Sequence, residues 1–221
     1  MVCVEFHLAG YNTNMSIGFA VLVVALLLLC NEWWWHGKKH GEASRKFVHI
    51  TVGTFVAFWP LFLSWSQIEF LSLAFVAVVL VSRQFNIFKS IHSVQRSTWG
   101  ELYFGAAVGL VALITHQPAI YVVALLHMSL ADGWAAIIGH KYGGRFTYRV
   151  LGTRKSRLGT LTFLVVSLAI LVGFAQQQNI DLGIWLALIA GGATILENVA
   201  IRGLDNLAIP LFVAVVLGLV S

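Results

Sequence analysis

Eight apolar stretches separated by short polar loops dominate the sequence, at roughly 15–32, 47–63, 67–82, 102–116, 119–139, 159–176, 183–199 and 207–220. A helix that crosses a bilayer needs about 20 mostly apolar residues. The pattern therefore predicts one all-α domain, residues 1–221: a polytopic transmembrane bundle of about eight spans. Charged residues make up only 10% of the 221, too few to cover a soluble fold. Soluble, disordered and disulfide-rich secreted proteins are thereby excluded.

The basic residues lie in every second loop. They are Lys38, Lys39, Arg45 and Lys46; Arg83, Lys89 and Arg96; Lys141, Arg145, Arg149, Arg154, Lys155 and Arg157; and Arg202. Basic loops favour the cytoplasm, so both termini are predicted on the non-cytoplasmic side of a membrane, for which a bacterial inner membrane suits the short chain. The net charge of +5 then indicates a basic membrane face, with no need of nucleic acid. These cations are expected to set topology and to contact anionic lipid.

Four acids at the same predicted face go beyond what topology requires. Asp132 lies inside the fifth stretch, where an ionisable group is costly without a partner or polar cavity. It is interpreted either as half of an interhelical ion pair or as a metal ligand or base. Glu197 is close enough in sequence to pair with Arg202. Asp205 could cap the helix that follows it, and Glu101 could be a first-turn acid of its helix.

Carboxylates mixed with cations are what phosphoryl transfer from a nucleotide requires, since the acids hold Mg²⁺ and the cations neutralise phosphate. Neither a P-loop nor a kinase glycine-rich loop occurs in the sequence. Two stretches are candidate phosphate sites. One is Lys155-Ser156-Arg157 before the sixth span, and the other is the loop with Gly139, Lys141, Gly143, Gly144 and Arg145. Gly133, beside Asp132, leaves room for a ligand.

Arg45, Lys46 and His49 enter the second span, with Arg45 and His49 on one helix face. His49 is open to two interpretations, an interhelical hydrogen bond or a catalytic role. His127, deeper in the fifth span, is interpreted as structural. Gly105 and Gly109 have a spacing that favours close helix packing.

Five stretches occur in an order that resembles the dolichol kinase and phytol kinase family of CTP-dependent lipid kinases, over about residues 42–212. They are Arg45-Lys46-Phe47-Val48-His49; Thr98-Trp99-Gly100-Glu101; Ala131-Asp132-Gly133-Trp134 with Gly139; Lys155-Ser156 with Gly159-Thr160; and Glu197-Asn198 with Gly203-Leu204-Asp205-Asn206. The short chain looks most like phytol and farnesol kinases. It departs from the family at Leu158, where members often carry an acid.

The resemblance implies transfer of the γ-phosphoryl group of CTP, or of ATP, to a long-chain isoprenoid alcohol at the cytoplasmic face. Asp132, with Glu197 or Asp205, is then expected to hold Mg²⁺. Arg45, Lys46, Lys155 and Arg157 would neutralise phosphate, Asp205 and Asn206 would line the nucleotide site, and Asp132 would accept the hydroxyl proton. The alternatives are a phosphatidate cytidylyltransferase, a CTP-dependent diacylglycerol kinase, and a membrane scaffold or transporter.

Overall fold

The computed structural model describes residues 13–35, 42–85 and 99–221, which are mostly helical. The elements are α1 (Thr13–Trp35), α2 (Glu42–Ala57), a 3₁₀ turn (Trp59–Leu61), α3 (Trp65–Phe85), α4 (Gly100–Ile114), α5 (Pro118–Leu126), a π-helical turn (His127–Ala131), α6 (Asp132–Tyr142), β1 (Thr147–Val150), β2 (Thr153–Ser156), α7 (Arg157–Gln178), α8 (Trp185–Val199) and α9 (Asp205–Val220). Each apolar stretch is mainly helical, although the second, predicted at 47–63, is α-helical only to Ala57. The fifth becomes α5, the π turn and α6 in one run. Lys38, Lys39, Lys89 and Arg96 lie outside the described residues.

The described helices include three that are long and apolar enough to cross a membrane: Ser16–Trp34, Pro118–Tyr142 and Arg157–Gln178. Four further apolar helices, in α3, α4, α8 and α9, are shorter. A helical membrane protein is therefore supported. The number of spans and the side on which each terminus lies remain predictions.

The run from Pro118 to Tyr142 is the centre of the bundle. Tyr121, Leu125 and Met128 on it are completely buried, and it packs against α2, α7 and α9. Only 17% of the apolar stretch of α1 is buried, against 56% of this central run. The central run thus carries Asp132, which is buried, into the interior of the fold.

A β-hairpin joins α6 to α7, which the all-α prediction did not include. β1 and β2 pair antiparallel, with Tyr148 opposite Lys155 and Arg149 opposite Arg154. The two turn residues, Leu151 and Gly152, both have positive φ (47° and 79°), as expected of the tight turn whose twist matches paired strands. The hairpin returns the chain directly to the first residue of α7.

Helices α3 and α4 pack closely through the two glycines whose spacing predicted such a contact. Ser72 Oγ donates a 2.8 Å hydrogen bond to the Gly105 carbonyl. A side chain at Gly105 would lie 2.6 Å from Phe75 Cδ1, and one at Gly109 would overlap Ser72 Oγ. Both positions therefore require glycine for this packing distance.

We expect Gly109→Ala to destabilise the fold by about 1–3 kcal/mol, because the added methyl group overpacks the α3–α4 contact. Gly173→Ala is the matched control, since a side chain at Gly173 in α7 meets nothing within 4 Å. Thermal unfolding of the two variants in detergent measures the difference. Equal melting temperatures for both would contradict the packing role of Gly109.

Candidate active site

Lys46 and Asp132 form a buried ion pair between α2 and α6. Lys46 Nζ donates to Asp132 Oδ2, and both side chains are more than nine-tenths buried. Lys46 lies in the second turn of α2, and Asp132 is the first residue of α6. Of the two interpretations of Asp132, the ion pair is therefore present, and it places a carboxylate and an ammonium group in a low-dielectric setting.

His49 lies one turn beyond Lys46 and faces the same carboxylate. Its Nε2 lies 2.9 Å from the Met128 carbonyl and 3.8 Å from Asp132 Oδ2. Met128 belongs to the π-helical turn that immediately precedes Asp132, and such turns are frequent at functional sites. The imidazole thus bridges α2 to the segment that presents Asp132. His127, in the same turn, contacts the Val123 carbonyl and Ser167 Oγ, each at 2.8 Å.

Lys155 and Glu197 form a second pair, between the hairpin and α8. Lys155 Nζ donates to Glu197 Oε1 at 2.5 Å and to the main-chain carbonyl of the same residue at 2.6 Å. Glu197 Oε2 is buried and has no hydrogen-bond partner among the described residues. The local pairing with Arg202 considered from the sequence is not the one formed. Glu197 Oε2 is thus an acceptor atom beside Lys155 that no donor among the described residues uses.

The start of α9 is bound to the start of α4. Asn206 Nδ2 donates a 2.9 Å hydrogen bond to the Gly100 carbonyl, and Trp99 N donates to the Arg202 carbonyl. Gly203 has φ +89°, and a side chain there would lie 2.6 Å from Gly100 Cα. The buried Asn206 Oδ1 has no hydrogen-bond partner in the described part of the chain. This junction places Asp205 and Asn206 beside the entry of α4.

Asp205 is the first residue of α9, and its Oδ1 accepts from the Asn206 amide at 3.0 Å. Asp205 is therefore a first-turn acid and not the cap considered from the sequence, because the N-cap position is Leu204 and no described side chain caps α9. Glu101 stands in the first turn of α4 and is partly buried. Arg45 points toward the same junction, with Nη1 3.8 Å from where a side chain at Gly100 would begin.

The three acids and two lysines form one electrostatic cluster. Glu197 interacts with Asp132 and Asp205. Lys46 and Lys155 each interact with both aspartates. We call Lys46, Asp132, Lys155, Glu197 and Asp205 the charged cluster. It gathers groups from α2, α6, the hairpin, α8 and α9, so distant parts of the sequence build one site.

The remaining phosphate-site candidates have mostly structural contacts. Ser156 caps α7, with its Oγ accepting from Gly159 N at 2.9 Å. Gly139 and Gly143 both pack against Ser156. Arg157 and Lys141 are exposed, and Lys141 Nζ lies 5.0 Å from the centre of the Tyr142 ring. Gly133 packs directly on Ile50, so the room that its missing side chain leaves is filled by α2.

Sequence comparison decides the family. A phytol kinase from the cyanobacterium Synechocystis sp. is 31% identical over 180 residues, which cover 77% of this chain and 76% of that relative. The chain belongs to the phytol kinase family. It is accordingly a lipid alcohol kinase, an enzyme that needs a nucleotide phosphoryl donor. A probable chloroplastic phytol kinase 1 from Glycine max is 28% identical over 91% of this chain and 74% of its own length.

A second Glycine max relative, a probable chloroplastic phytol kinase 2, is 29% identical over 76% of this chain. The matching region spans 62% of that relative. No protein-family model matches the chain, and no solved structure matches it. The phytol kinase family assignment therefore rests on these relatives, and the geometry of the charged cluster is taken from the structure alone.

The charged cluster of this phytol kinase family member has three neighbours that the sequence did not indicate as site candidates: Tyr148, Thr160 and Asn198. The Tyr148 hydroxyl donates to Asn198 Oδ1 and lies 2.5 Å from Thr160 Oγ1. Thr160 Oγ1 lies 3.2 Å from the same amide oxygen. Asn198 and Thr160 were part of the family-like stretches, but Tyr148 had no such signal. The strand-favouring residues Thr147, Tyr148 and Val150 before Gly152 could have predicted a hairpin. Such a hairpin would have placed Tyr148 opposite Lys155.

Proposed function

We propose that the chain transfers the γ-phosphoryl group of CTP to the hydroxyl of a long-chain isoprenoid alcohol, at the cytoplasmic face of a membrane. The observation that carries the proposal is the charged cluster. Two lysines and three carboxylates from five elements meet in a largely buried site. A helix bundle with a purely structural role is not expected to bury so many ionisable groups, because moving each charged group out of water costs free energy.

The two lysines fit the binding of phosphate oxygens. Lys46 and Lys155 are each paired with a carboxylate, so their charge is compensated before a nucleotide arrives. The phosphate oxygens of a nucleoside triphosphate are also negatively charged, so they can take the place of the carboxylates as partners of the lysines. Arg45, beside Lys46 and pointing at the α4–α9 junction, adds a planar donor at the edge of the cluster.

The acids fit a magnesium ion bound with the nucleotide. Mg²⁺ prefers carboxylate and carbonyl oxygens, and the buried Glu197 Oε2 and Asn206 Oδ1 are such atoms without a described hydrogen-bond donor. In the described chain, no three His, Cys, Asp or Glu residues already form a metal-binding group. We assign Asp132, Glu197 and Asp205 as the residues that hold the ion together with the nucleotide. When bound, the ion neutralises charge on the phosphates.

Asp132 is assigned as the base. The oxygen of the alcohol attacks the γ-phosphorus, the bond from that phosphorus to the bridging oxygen of the β-phosphate breaks, and CDP leaves. The hydroxyl proton passes to a carboxylate oxygen of Asp132. Lys46 orients this carboxylate through the ion pair, and His49 stands 3.8 Å from the same oxygen.

The acceptor is assigned from family membership and from the apolar surface around the cluster. The relatives are named as phytol kinases. Phe47 and Trp134, next in sequence to Lys46 and two residues past Asp132, are both exposed. An alcohol whose tail lies among apolar helices presents its hydroxyl at the membrane interface. CTP is assigned from the resemblance of the motifs, and the cytoplasmic face from the basic loops.

The test is a transfer assay with purified protein in nanodiscs and Mg²⁺. CTP or ATP labelled at the γ-phosphate is offered with phytol, farnesol, geranylgeraniol, a polyprenol or diacylglycerol. We expect label in an isoprenoid alcohol and release of CDP. A parallel assay offers phosphatidic acid with CTP labelled at the α-phosphate, and label in lipid there, with release of pyrophosphate, would identify a cytidylyltransferase instead. Label in diacylglycerol alone would contradict the assigned acceptor, and label in no lipid would overturn the kinase proposal.

A further inference from the structure

Tyr148 and Lys155 are a cross-strand pair of the hairpin. They stand directly opposite each other in β1 and β2. Side chains of directly opposed residues lie on the same face of an antiparallel pair. The two therefore leave the hairpin side by side, while Arg149 and Arg154, one register step away, are exposed on the other face.

The pair contacts two consecutive residues of α8. Lys155 Nζ binds Glu197, and the Tyr148 hydroxyl donates to Asn198 Oδ1. The Asn198 amide is itself oriented, because its Nδ2 donates to the Thr194 carbonyl at 2.8 Å. Thr160 of α7 adds a second hydroxyl to the same oxygen. The hairpin is thus attached to both helices through one hydroxyl beside the Lys155 contact.

We propose that Tyr148 is a positioning residue, whose hydrogen bond to Asn198 holds Lys155 at Glu197 and so places the lysine for the nucleotide phosphates. The part of this inference that concerns nucleotide rests on the proposed function. A lysine has a long flexible side chain whose ordering costs entropy. Because the hairpin is hydrogen-bonded to Asn198 of α8, one residue from Glu197, the Lys155 side chain has lost much of that freedom before the nucleotide binds. Thr160 supports the same tie from α7.

The first measurement needs no activity. Acetylation of lysines by an N-hydroxysuccinimide ester, followed by mass spectrometry, reports the accessibility of Lys155, with the exposed Lys141 as internal reference. We expect Tyr148→Phe and Thr160→Val to raise the labelling rate of Lys155 about three- to tenfold, the effect of losing one hydrogen bond. Tyr142→Phe is the control for the tyrosine, since Tyr142 is 60% exposed. Thr162→Val is the control for the threonine, because that hydroxyl bonds only to the Leu158 carbonyl of its own helix among the described contacts.

The second measurement is kinetic. Tyr148→Phe is expected to raise the KM for the nucleotide about three- to tenfold and to leave the KM for the alcohol unchanged. In a Lys155→Met background the same substitution should add nothing further, because residues that act through one another are not additive. A merely structural tyrosine would lower the melting temperature and leave the nucleotide KM of the folded enzyme unchanged.

The outcomes separate the two proposals. Unchanged labelling of Lys155 in Tyr148→Phe overturns the tie, whatever the kinetics show. Faster labelling with an unchanged nucleotide KM also overturns the positioning role. If Lys155→Met itself leaves the nucleotide KM unchanged, the phosphate-binding assignment of Lys155 in the proposed function fails. The labelling experiment then still decides whether Tyr148 holds the lysine at Glu197.

Discussion

Asp132→Asn is expected to lower the rate of phosphoryl transfer by about a thousandfold, because one substitution removes the base and a carboxylate of the proposed metal site. The side chain is 3% exposed and paired with Lys46. The amide keeps the shape of the carboxylate and loses its charge. Initial rates with γ-labelled nucleotide and the preferred alcohol measure the effect.

The same substitution leaves Lys46 buried without its partner charge, which costs about 3–5 kcal/mol when a buried pair is broken. The double variant Lys46→Met with Asp132→Asn removes both charges and is expected to regain much of the lost melting temperature while remaining inactive. Asp181→Asn is the control, since Asp181 is exposed and, among the described contacts, accepts one hydrogen bond, from the nearby Gly183 amide. A well-folded Asp132→Asn protein with normal activity would refute the role of Asp132.

The helices could be predicted because they depend on local composition. Most apolar stretches became helix within a few residues of their expected bounds; the exception is the second, predicted at 47–63, where α2 is Glu42–Ala57. The Gly105–Gly109 spacing marked a real close contact between α3 and α4. The hairpin was not predicted, because basic residues at Arg149, Arg154 and Lys155 hid its short alternating pattern. The π turn before Asp132 has no signal in sequence periodicity, since it adds one residue to an otherwise regular helix.

The sequence singled out the five residues that the structure brings together as the charged cluster, but it did not indicate how they pair, and their roles stay predictions. Sequence reasoning is limited to neighbours along the chain, so it considered Arg202 as the partner of Glu197. The structure pairs Glu197 with Lys155, 42 residues away, and Asp132 with Lys46, 86 residues away. Such pairs are set by the packing of whole helices. The glycines of the Lys141 loop were expected to cradle phosphate, but Gly139 and Gly143 pack against Ser156.

In the proposed mechanism, the members of the two ion pairs exchange their partners when the nucleotide and the metal bind. Two of the three acids assigned to the metal, Asp132 and Glu197, are those that hold the lysines in this structure. When a magnesium–nucleotide complex binds, Lys46 and Lys155 can turn to phosphate oxygens while the acids turn to the ion. Every charge keeps a partner of opposite sign, so the buried site avoids the cost of an isolated charge. Nucleotide and metal are therefore expected to bind together.

Glu197→Gln is expected to raise the Mg²⁺ concentration needed for half-maximal activity at least roughly 10- to 100-fold. Mutating a residue that only supports a metal ligand already weakens metal binding by that factor, and Glu197 is assigned to the ion itself. The substitution is selective because glutamine keeps a side-chain oxygen for Lys155. The main-chain carbonyl of residue 197, which Lys155 also contacts at 2.6 Å, is unchanged. The lysine therefore stays in place while the ligand charge is lost. Rates measured over a series of Mg²⁺ concentrations at saturating nucleotide test this.

Lys155→Met is the comparison, because it removes the other half of the same pair. It should raise the KM for the nucleotide and leave the Mg²⁺ requirement closer to that of the unaltered enzyme. Excess Mg²⁺ should restore part of the activity of Glu197→Gln and none of that of Lys155→Met. If Glu197→Gln instead changes the nucleotide KM at an unaltered Mg²⁺ requirement, then Glu197 serves only to hold Lys155. The ion would then have to be assigned to Asp132 and Asp205, the two aspartates that interact with both lysines.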